Sequence, residues 1–141
     1  RRVLFRSCRA VVESATYGLR YGLDLFRRQG ITAREIRLTG GGARSPRWRQ
    51  IVADVTGCPV VCLKVNETAA LGGAIQAMWA TALADDPHQQ AESVLSDLCR
   101  RFVSLDESTR AEPDAERQAQ YDALYQRYLQ RLQQAYPEVS L

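Results

Sequence analysis

The sequence lacks an uncharged stretch long enough to cross a membrane. Its longest uncharged run, Thr68 to Ala84, has 17 residues, whereas a membrane-spanning helix needs about 20 predominantly apolar ones. The run is rich in alanine and also contains Gln76 and two glycines. We therefore predict a buried helix of a globular domain here, and no association with a membrane.

Cysteine is scarce and follows no metal-binding or disulfide pattern. The four cysteines, Cys8, Cys58, Cys62 and Cys99, contain no C-x-x-C pair, and the single histidine, His88, lies in a polar segment. This arrangement argues against a zinc site. Cys58 and Cys62 flank a short apolar run typical of a strand, so their Cα atoms would lie roughly 13 Å apart, too far for a disulfide. The sequence predicts four reduced thiols in a cytoplasmic protein.

An excess of charge of one sign is also missing once the first residues are set aside. The 141 residues carry 19 basic and 16 acidic side chains. Three of the basic residues are Arg1, Arg2 and Arg6, and without them the balance is 16 against 16. Such a balance gives no indication of nucleic-acid binding. Hydrophobic residues at 45% and charged residues at 25% exclude a disordered tail, a collagen-like chain and a small disulfide scaffold.

The first seven residues differ in composition from the rest and contain no methionine. We predict that residues 1–7 are a non-native scar of cloning or sequence assembly. The alternative is an ordinary helix N-terminus.

Apolar periodicity divides the rest of the chain into alternating helices and strands. Spacings of three and four residues predict helices over 8–29, after Ser45-Pro46, from residue 66 to about 83, over 91–102 and over about 114–135. Residues 35–39 and the pair Val60-Val61 have the pattern of strands, and 106–113 that of a polar loop. The alternation predicts an α/β fold with parallel strands. Because two strands do not make a self-sufficient sheet, the chain would be the second half of a larger α/β domain.

Several local signals define these helices more closely. Val11, Val12, Ala15, Leu19, Leu23 and Phe26 would form the apolar stripe of the first helix. Gly30 and Gly57 would end the first two helices, while Ser45 and Asn66 would cap the starts of the second and third. The pairs Gly18/Gly22 and Gly72/Gly73 suggest close packing of two helices against neighbouring backbone. The tyrosines and leucines of the last helix indicate a packing surface.

The glycine triplet Gly40-Gly41-Gly42 is the strongest candidate for chemistry. Consecutive glycines remove side chains where a ligand must approach the backbone. They follow a strand, at the usual ligand edge of an α/β sheet, and precede a helix whose first N–H groups favour polar ligands. The triplet is neither a P-loop nor a dinucleotide fingerprint. A tight turn without a ligand is the alternative.

Three segments resemble the FGGY family of carbohydrate kinases. Residues 38–57, LTGGGARSPRWRQIVADVTG, resemble the adenosine-side motif of that family, and residues 67–74, ETAALGGA, resemble its second C-terminal signature. Residues 17–23 match the helix that precedes the first motif, and the tail from Leu105 is most similar to the xylulokinases. The resemblance implies part of a ribonuclease-H-like C-terminal domain of the actin-like ATPase superfamily. Residues 8–105 would be the C-terminal half of the second kinase domain, and 106–141 a loop and an amphipathic helix.

The resemblance also implies ligands and roles. ATP would lie between two domains, with Gly40, Gly41 and Gly42 under the adenosine and Ser45 near the base. Arg44 would stack on the adenine, a role that suits a guanidinium; the alternative is a solvated surface arginine. The catalytic aspartate, the first phosphate loop, the Mg²⁺ site and most sugar contacts would lie outside this chain, so no catalytic residue is assigned.

The resemblance leaves the function of the parent protein open in two respects. The parent would transfer phosphate from ATP to a ketopentose, releasing ADP, and could form a homodimer. The alternatives are a kinase for ribulose, gluconate or glycerol, and a non-catalytic nucleotide-binding module.

Overall fold

A computed structural model describes residues 2–86 and 88–138, with side chains from residue 7 onward. The elements are α1 (Arg2–Arg28), β1 (Ile36–Leu38), a 3₁₀ turn (Gly41–Arg44), α2 (Pro46–Thr56), β2 (Val60–Leu63), α3 (Thr68–Asp85), α4 (Ala91–Phe102), β3 (Leu105–Ala111) and α5 (Ala115–Ala135). None of these helices is long and apolar enough to span a membrane. Of the suggested scar, Arg1 lies outside the described residues and the others form the start of α1. Whether 1–7 is native stays a prediction.

The sheet has three strands in the order β1-β2-β3. β1 and β2 are parallel, with Ile36 opposite Val60 and Leu38 opposite Cys62, which confirms the expected parallel pair. β3 runs antiparallel to β2, with Leu63 opposite Leu105. The polar loop predicted for 106–113 is therefore wrong, because residues 105–111 form a strand. Much of β3 faces solvent at the sheet edge, so polar side chains are tolerated there and hide the strand pattern.

The core lies between the sheet and α1, α2 and α5. Val52 and Ala53 of α2 pack on Val60 and Ala111 of the sheet. On the other side of α2, a second cluster joins the three helices; it consists of Tyr17, Val55, Tyr121 and Tyr125. Burial raises the pKa of Tyr17 to about 12. The tyrosines of α5 are thus a packing surface.

The face that α1 buries is not the predicted one. Val11 is 68% exposed, Phe26 is 57% exposed and Leu19 is also exposed. Thr16 and Tyr17 are buried instead. α1 packs mainly along α2 and α5, which leaves much of its apolar stripe exposed.

The helix α3 also departs from expectation. Ile75 is its one buried residue, so the prediction of a buried helix is wrong for the described part of the chain. α3 packs against α4, where Trp79 Nε1 donates a hydrogen bond to the Ala91 carbonyl at 2.8 Å. The predicted Asn66 cap is wrong too, because the helix begins after Glu67 and has no side-chain cap.

The close backbone packing expected at two glycine pairs is absent. A Cβ added at any of Gly18, Gly22, Gly72 or Gly73 would meet no described atom within 4 Å. These glycines face open surface, so nothing in the described part of the chain requires them to be small.

Candidate functional site

The glycine triplet forms a short stiff turn between β1 and α2. Gly40 has φ 84° and ψ −174°, a conformation that side-chain-bearing residues rarely adopt. The Ala43 N–H donates to the Gly40 carbonyl at 3.1 Å, and the Ser45 N–H donates to the Gly42 carbonyl at 3.0 Å. The backbone therefore leaves the strand and enters the helix through one turn that is hydrogen-bonded on both sides of Gly42.

The neighbouring glycines Gly41 and Gly42 have different surroundings. A Cβ added at Gly41 would meet nothing within 4 Å, whereas one added at Gly42 would lie 1.7 Å from Cζ3 of Trp48. Gly42 is therefore required by the packing of an indole ring. Gly41 leaves open space against the backbone, which is what a flat ligand needs.

Trp48 of α2 is a residue of this region that the sequence analysis did not connect with the glycine turn. Its ring lies on Gly42, and its Nε1 donates to Thr16 Oγ1 at 3.2 Å. No short-range sequence pattern links Trp48 to Thr16, because the two lie on different helices. The adjacent Ala43 carbonyl accepts from Arg49 Nη1 at 2.8 Å and from the Cys62 thiol at 3.6 Å.

Ser45 and Arg44 end the turn. Ser45 is the N-cap of α2, with Pro46 following it, and its Oγ accepts from the Trp48 N–H at 3.3 Å. That confirms the predicted helix start and means that the Ser45 hydroxyl already has a structural task. Arg44 is exposed, and its guanidinium makes no hydrogen bond or ion pair within residues 2–86 and 88–138. It is free to contact a ligand beside the turn.

A groove of about 770 Å³ lies next to the turn, between α1, α2 and α5. Ser45, Trp48 and Asp54 line it from α2. The cluster of cysteine, histidine and carboxylate groups that a metal ion needs occurs nowhere in the described residues.

Asp54 is the buried carboxylate of this region, at 1% exposure. It accepts from Arg117 Nε at 2.6 Å, from the Asp114 N–H at 2.9 Å and from Gln50 Nε2 at 2.9 Å. The hydrogen bond to Asp54 raises the pKa of Arg117. With its oxygens occupied in this way, Asp54 joins α2 to the start of α5 and has no free oxygen to act as a base.

Comparison with known proteins places this turn in a family. The profile of the FGGY family of carbohydrate kinases, C-terminal domain, matches residues 3–81. The xylulose kinase of Haemophilus influenzae is 51% identical over 129 residues, which are 92% of this chain and 24% of that protein.

Two solved structures share the fold. The gluconate kinase of Lactobacillus acidophilus matches with a TM-score of 0.69 and 25% identity, over 91% of this chain and 24% of its own. The xylulose kinase of Rhodospirillum rubrum matches with a TM-score of 0.65 and 27% identity, over 92% and 24%.

The relatives and the solved structures match this chain over the same share of their own lengths. The chain spans about a quarter of the length of each of these relatives, and its fold is the corresponding part of the actin-like ATPase fold that these sugar kinases share. The chain belongs to the FGGY family of carbohydrate kinases and represents part of their C-terminal domain.

Proposed function

We propose that the chain forms the adenosine-binding wall of the ATP site in a sugar kinase that phosphorylates xylulose. The observation that carries this proposal is the turn at the carboxyl end of β1, where Gly40 has a positive φ and Gly41 faces open space. Xylulose is proposed as the substrate because the chain is 51% identical to a xylulose kinase over most of its length.

The residues present fit an adenosine. Gly40 and Gly41 expose backbone to a ligand, while Gly42 supports the turn beneath Trp48. Arg44 has a free guanidinium beside the turn, which would stack on a base, and Ser45 fixes the start of α2 next to it. Bound ATP supplies the phosphoryl group. This chain would bind and orient the nucleoside, and ADP after transfer.

The remaining machinery belongs to the rest of the parent protein in this proposal. Phosphoryl transfer needs groups that hold the β- and γ-phosphates with Mg²⁺, and a base near the sugar hydroxyl. The Mg²⁺ site, the base and most contacts to the ketopentose would lie outside this chain. A cytoplasmic location and a homodimeric parent are parts of the same proposal.

A different sugar is the second candidate function. It is favoured by one observation: the gluconate kinase structure matches with a TM-score of 0.69 and the xylulose kinase structure with 0.65. The fold of this chain therefore does not discriminate between the sugars.

The decisive measurement is ADP release by the complete protein that contains this chain, with xylulose, ribulose, gluconate and glycerol as acceptors. We expect the highest kcat/KM with xylulose, and a preference for gluconate would correct the substrate.

The role of the chain itself is tested in a hybrid enzyme. In it, this chain replaces the matching quarter of the Haemophilus influenzae xylulose kinase. We expect the hybrid to bind ADP and to phosphorylate xylulose with ATP, while the same kinase without that quarter does neither. A hybrid that is folded and monodisperse but binds no ADP would overturn the proposal.

A further inference from the structure

We propose that Trp48 is a positioning residue that holds the glycine turn in its adenosine-binding conformation, and that Thr16 of α1 keeps Trp48 in place. This inference rests on the proposed function, since it assigns a supporting part to the same nucleotide site. It adds a residue of α1, outside the glycine motif, to the machinery of that site.

The first argument is the contact between Trp48 and Gly42. A Cβ on Gly42 would lie 1.7 Å from Cζ3, 2.2 Å from Cε3 and 2.7 Å from Cη2 of the indole. The benzene ring of the indole therefore occupies the space that a side chain at residue 42 would take. Gly42 lies within the loop closed by the hydrogen bond from the Ala43 N–H to the Gly40 carbonyl, and its own carbonyl accepts the second bond, from the Ser45 N–H. A ring in this place limits how far the backbone of the turn can move.

The second argument is the anchor of the ring. Trp48 Nε1 donates to Thr16 Oγ1 at 3.2 Å, and the same hydroxyl donates to the Val12 carbonyl at 2.9 Å. Thr16 is 0% exposed, so no water competes for its oxygen. One hydroxyl serves as donor and acceptor at once, and this fixes the direction from which the indole can approach.

The third argument is that the other contacts to the turn do not reach α1. Arg49 and Cys62 both donate to the Ala43 carbonyl, and they come from α2 and β2. The hydrogen bond between Trp48 and Thr16 joins the ring that packs on the turn to α1. A binding site made of backbone depends on such fixed geometry, because its atoms must be in place before the ligand arrives.

The test uses the hybrid kinase with Thr16→Val, which keeps the shape but removes the acceptor, and Trp48→Phe, which removes the donor together with part of the ring system that lies on Gly42. We expect Thr16→Val to weaken ADP binding and raise KM for ATP about fivefold, the effect of one typical hydrogen bond, and Trp48→Phe to do so at least as strongly. KM for xylulose should stay unchanged. The double variant should bind ADP no more weakly than Trp48→Phe alone, since Thr16 acts through Trp48. Thr16→Ser, which retains a hydroxyl, should restore binding.

Two matched controls lie in α3. Thr81 Oγ1 donates to the Ala77 carbonyl at 3.0 Å, as Thr16 does within α1, and Trp79 Nε1 donates to Ala91. Thr81→Val and Trp79→Phe therefore remove equivalent groups far from the turn, and we expect no change in ADP binding. A readout without nucleotide is hydrogen exchange of residues 40–47, which Thr16→Val should accelerate and Thr81→Val should not.

The outcomes separate this inference from the proposed function. If Gly41→Val leaves ADP binding intact, the proposed function fails. If Gly41→Val abolishes binding while Thr16→Val and Trp48→Phe leave ADP affinity and exchange of the turn unchanged, the positioning role is wrong. Additive losses in the double variant, or an equal rise of KM for xylulose, would show general destabilisation and would also overturn it.

Discussion

Gly40, Gly41 and Gly42 are adjacent in the sequence, but the fold requires glycine at only two of these positions, and for different reasons. Gly40 is needed for its positive φ, and Gly42 is needed because Trp48 fills the space of its side chain. Gly41 meets neither condition. The sequence alone predicted the turn and its place after a strand. It could not separate the glycines, because the separation depends on where the Trp48 ring lies in three dimensions.

Because the fold itself does not require glycine at residue 41, a substitution of Gly41 tests nucleotide binding without disturbing the turn. We expect Gly41→Val in the hybrid kinase to abolish ADP binding, since the branched side chain would occupy the ligand's space. Its melting temperature should not change, because no described atom lies within 4 Å of the new Cβ. Isothermal titration with ADP measures the first and differential scanning fluorimetry the second.

Gly42→Ala is the matched control for that experiment. It should lower the melting temperature, because the new methyl group displaces the Trp48 ring. Normal ADP affinity in Gly41→Val would make the turn purely structural.

Arg44 carries the second prediction at this scale. Its guanidinium is exposed and free of other partners within the described chain. An effect of its removal on ADP binding would therefore come from a contact with the ligand. We expect Arg44→Ala to weaken ADP binding by about 0.5–2 kcal/mol, roughly 2- to 30-fold. Arg34→Ala removes an equally exposed charge that precedes β1 and should have no effect. Equal ADP affinities of the two variants would mean that Arg44 is a solvated surface arginine without a role in binding.

Between elements, Asp54 links α2 to the start of α5. It is 1% exposed and accepts four hydrogen bonds: two from Arg117, one from the Asp114 N–H and one from Gln50. Asp54→Asn would remove the charge and turn an amide N–H₂ toward one of these donors. We expect a loss of about 1–3 kcal/mol in unfolding free energy, because Arg117 is half exposed and partly compensated by water.

The control for Asp54→Asn is an exposed ion pair. Asp97 pairs with Arg100 on the surface of α4, and Asp97→Asn should change stability by no more than about 0.5 kcal/mol. Urea unfolding of the hybrid kinase, with both variants measured side by side, gives the difference. Equal midpoints would mean that Asp54 does not stabilise the contact.

How far the sequence predicts these elements depends on what each element packs against. The bounds of α2 follow from Ser45, Pro46 and Gly57, signals that act within one turn of the chain. β3 was missed because an edge strand buries little and its polar residues resemble a loop. α3 was predicted as buried from its apolar composition, yet burial depends on a neighbouring surface that local sequence does not describe.

For the whole molecule, the prediction is that this chain alone transfers no phosphate. It offers one wall of a nucleotide site, while transfer also needs a base, phosphate clamps and a closed cleft. A coupled assay of ADP release with xylulose, ATP and Mg²⁺ should show no turnover above a mock preparation. Turnover that survives repurification would contradict this and direct attention to the 16 acidic residues of the chain.

The isolated chain should also be poorly packed in solution. Val11, Leu19 and Phe26 of α1 are exposed, α3 buries only Ile75, and β1 has a free edge among the described residues. β2 itself has no free edge, since it pairs with β1 on one side and with β3 on the other. Apolar surface of this extent favours association. We expect binding of a hydrophobic dye and aggregation in size-exclusion chromatography, and a sharp monomer peak without dye binding would contradict it.

The pairing of Leu63 with Leu105 has a consequence for how such a sequence can change over time. The chain leaves the sheet after Leu63, forms α3 and α4, and returns beside its point of departure. Because the two ends of this excursion are already adjacent, its length can vary at little cost in loop-closure entropy. A change in the length of this excursion would therefore leave the register of the strands and the geometry of the glycine turn in place.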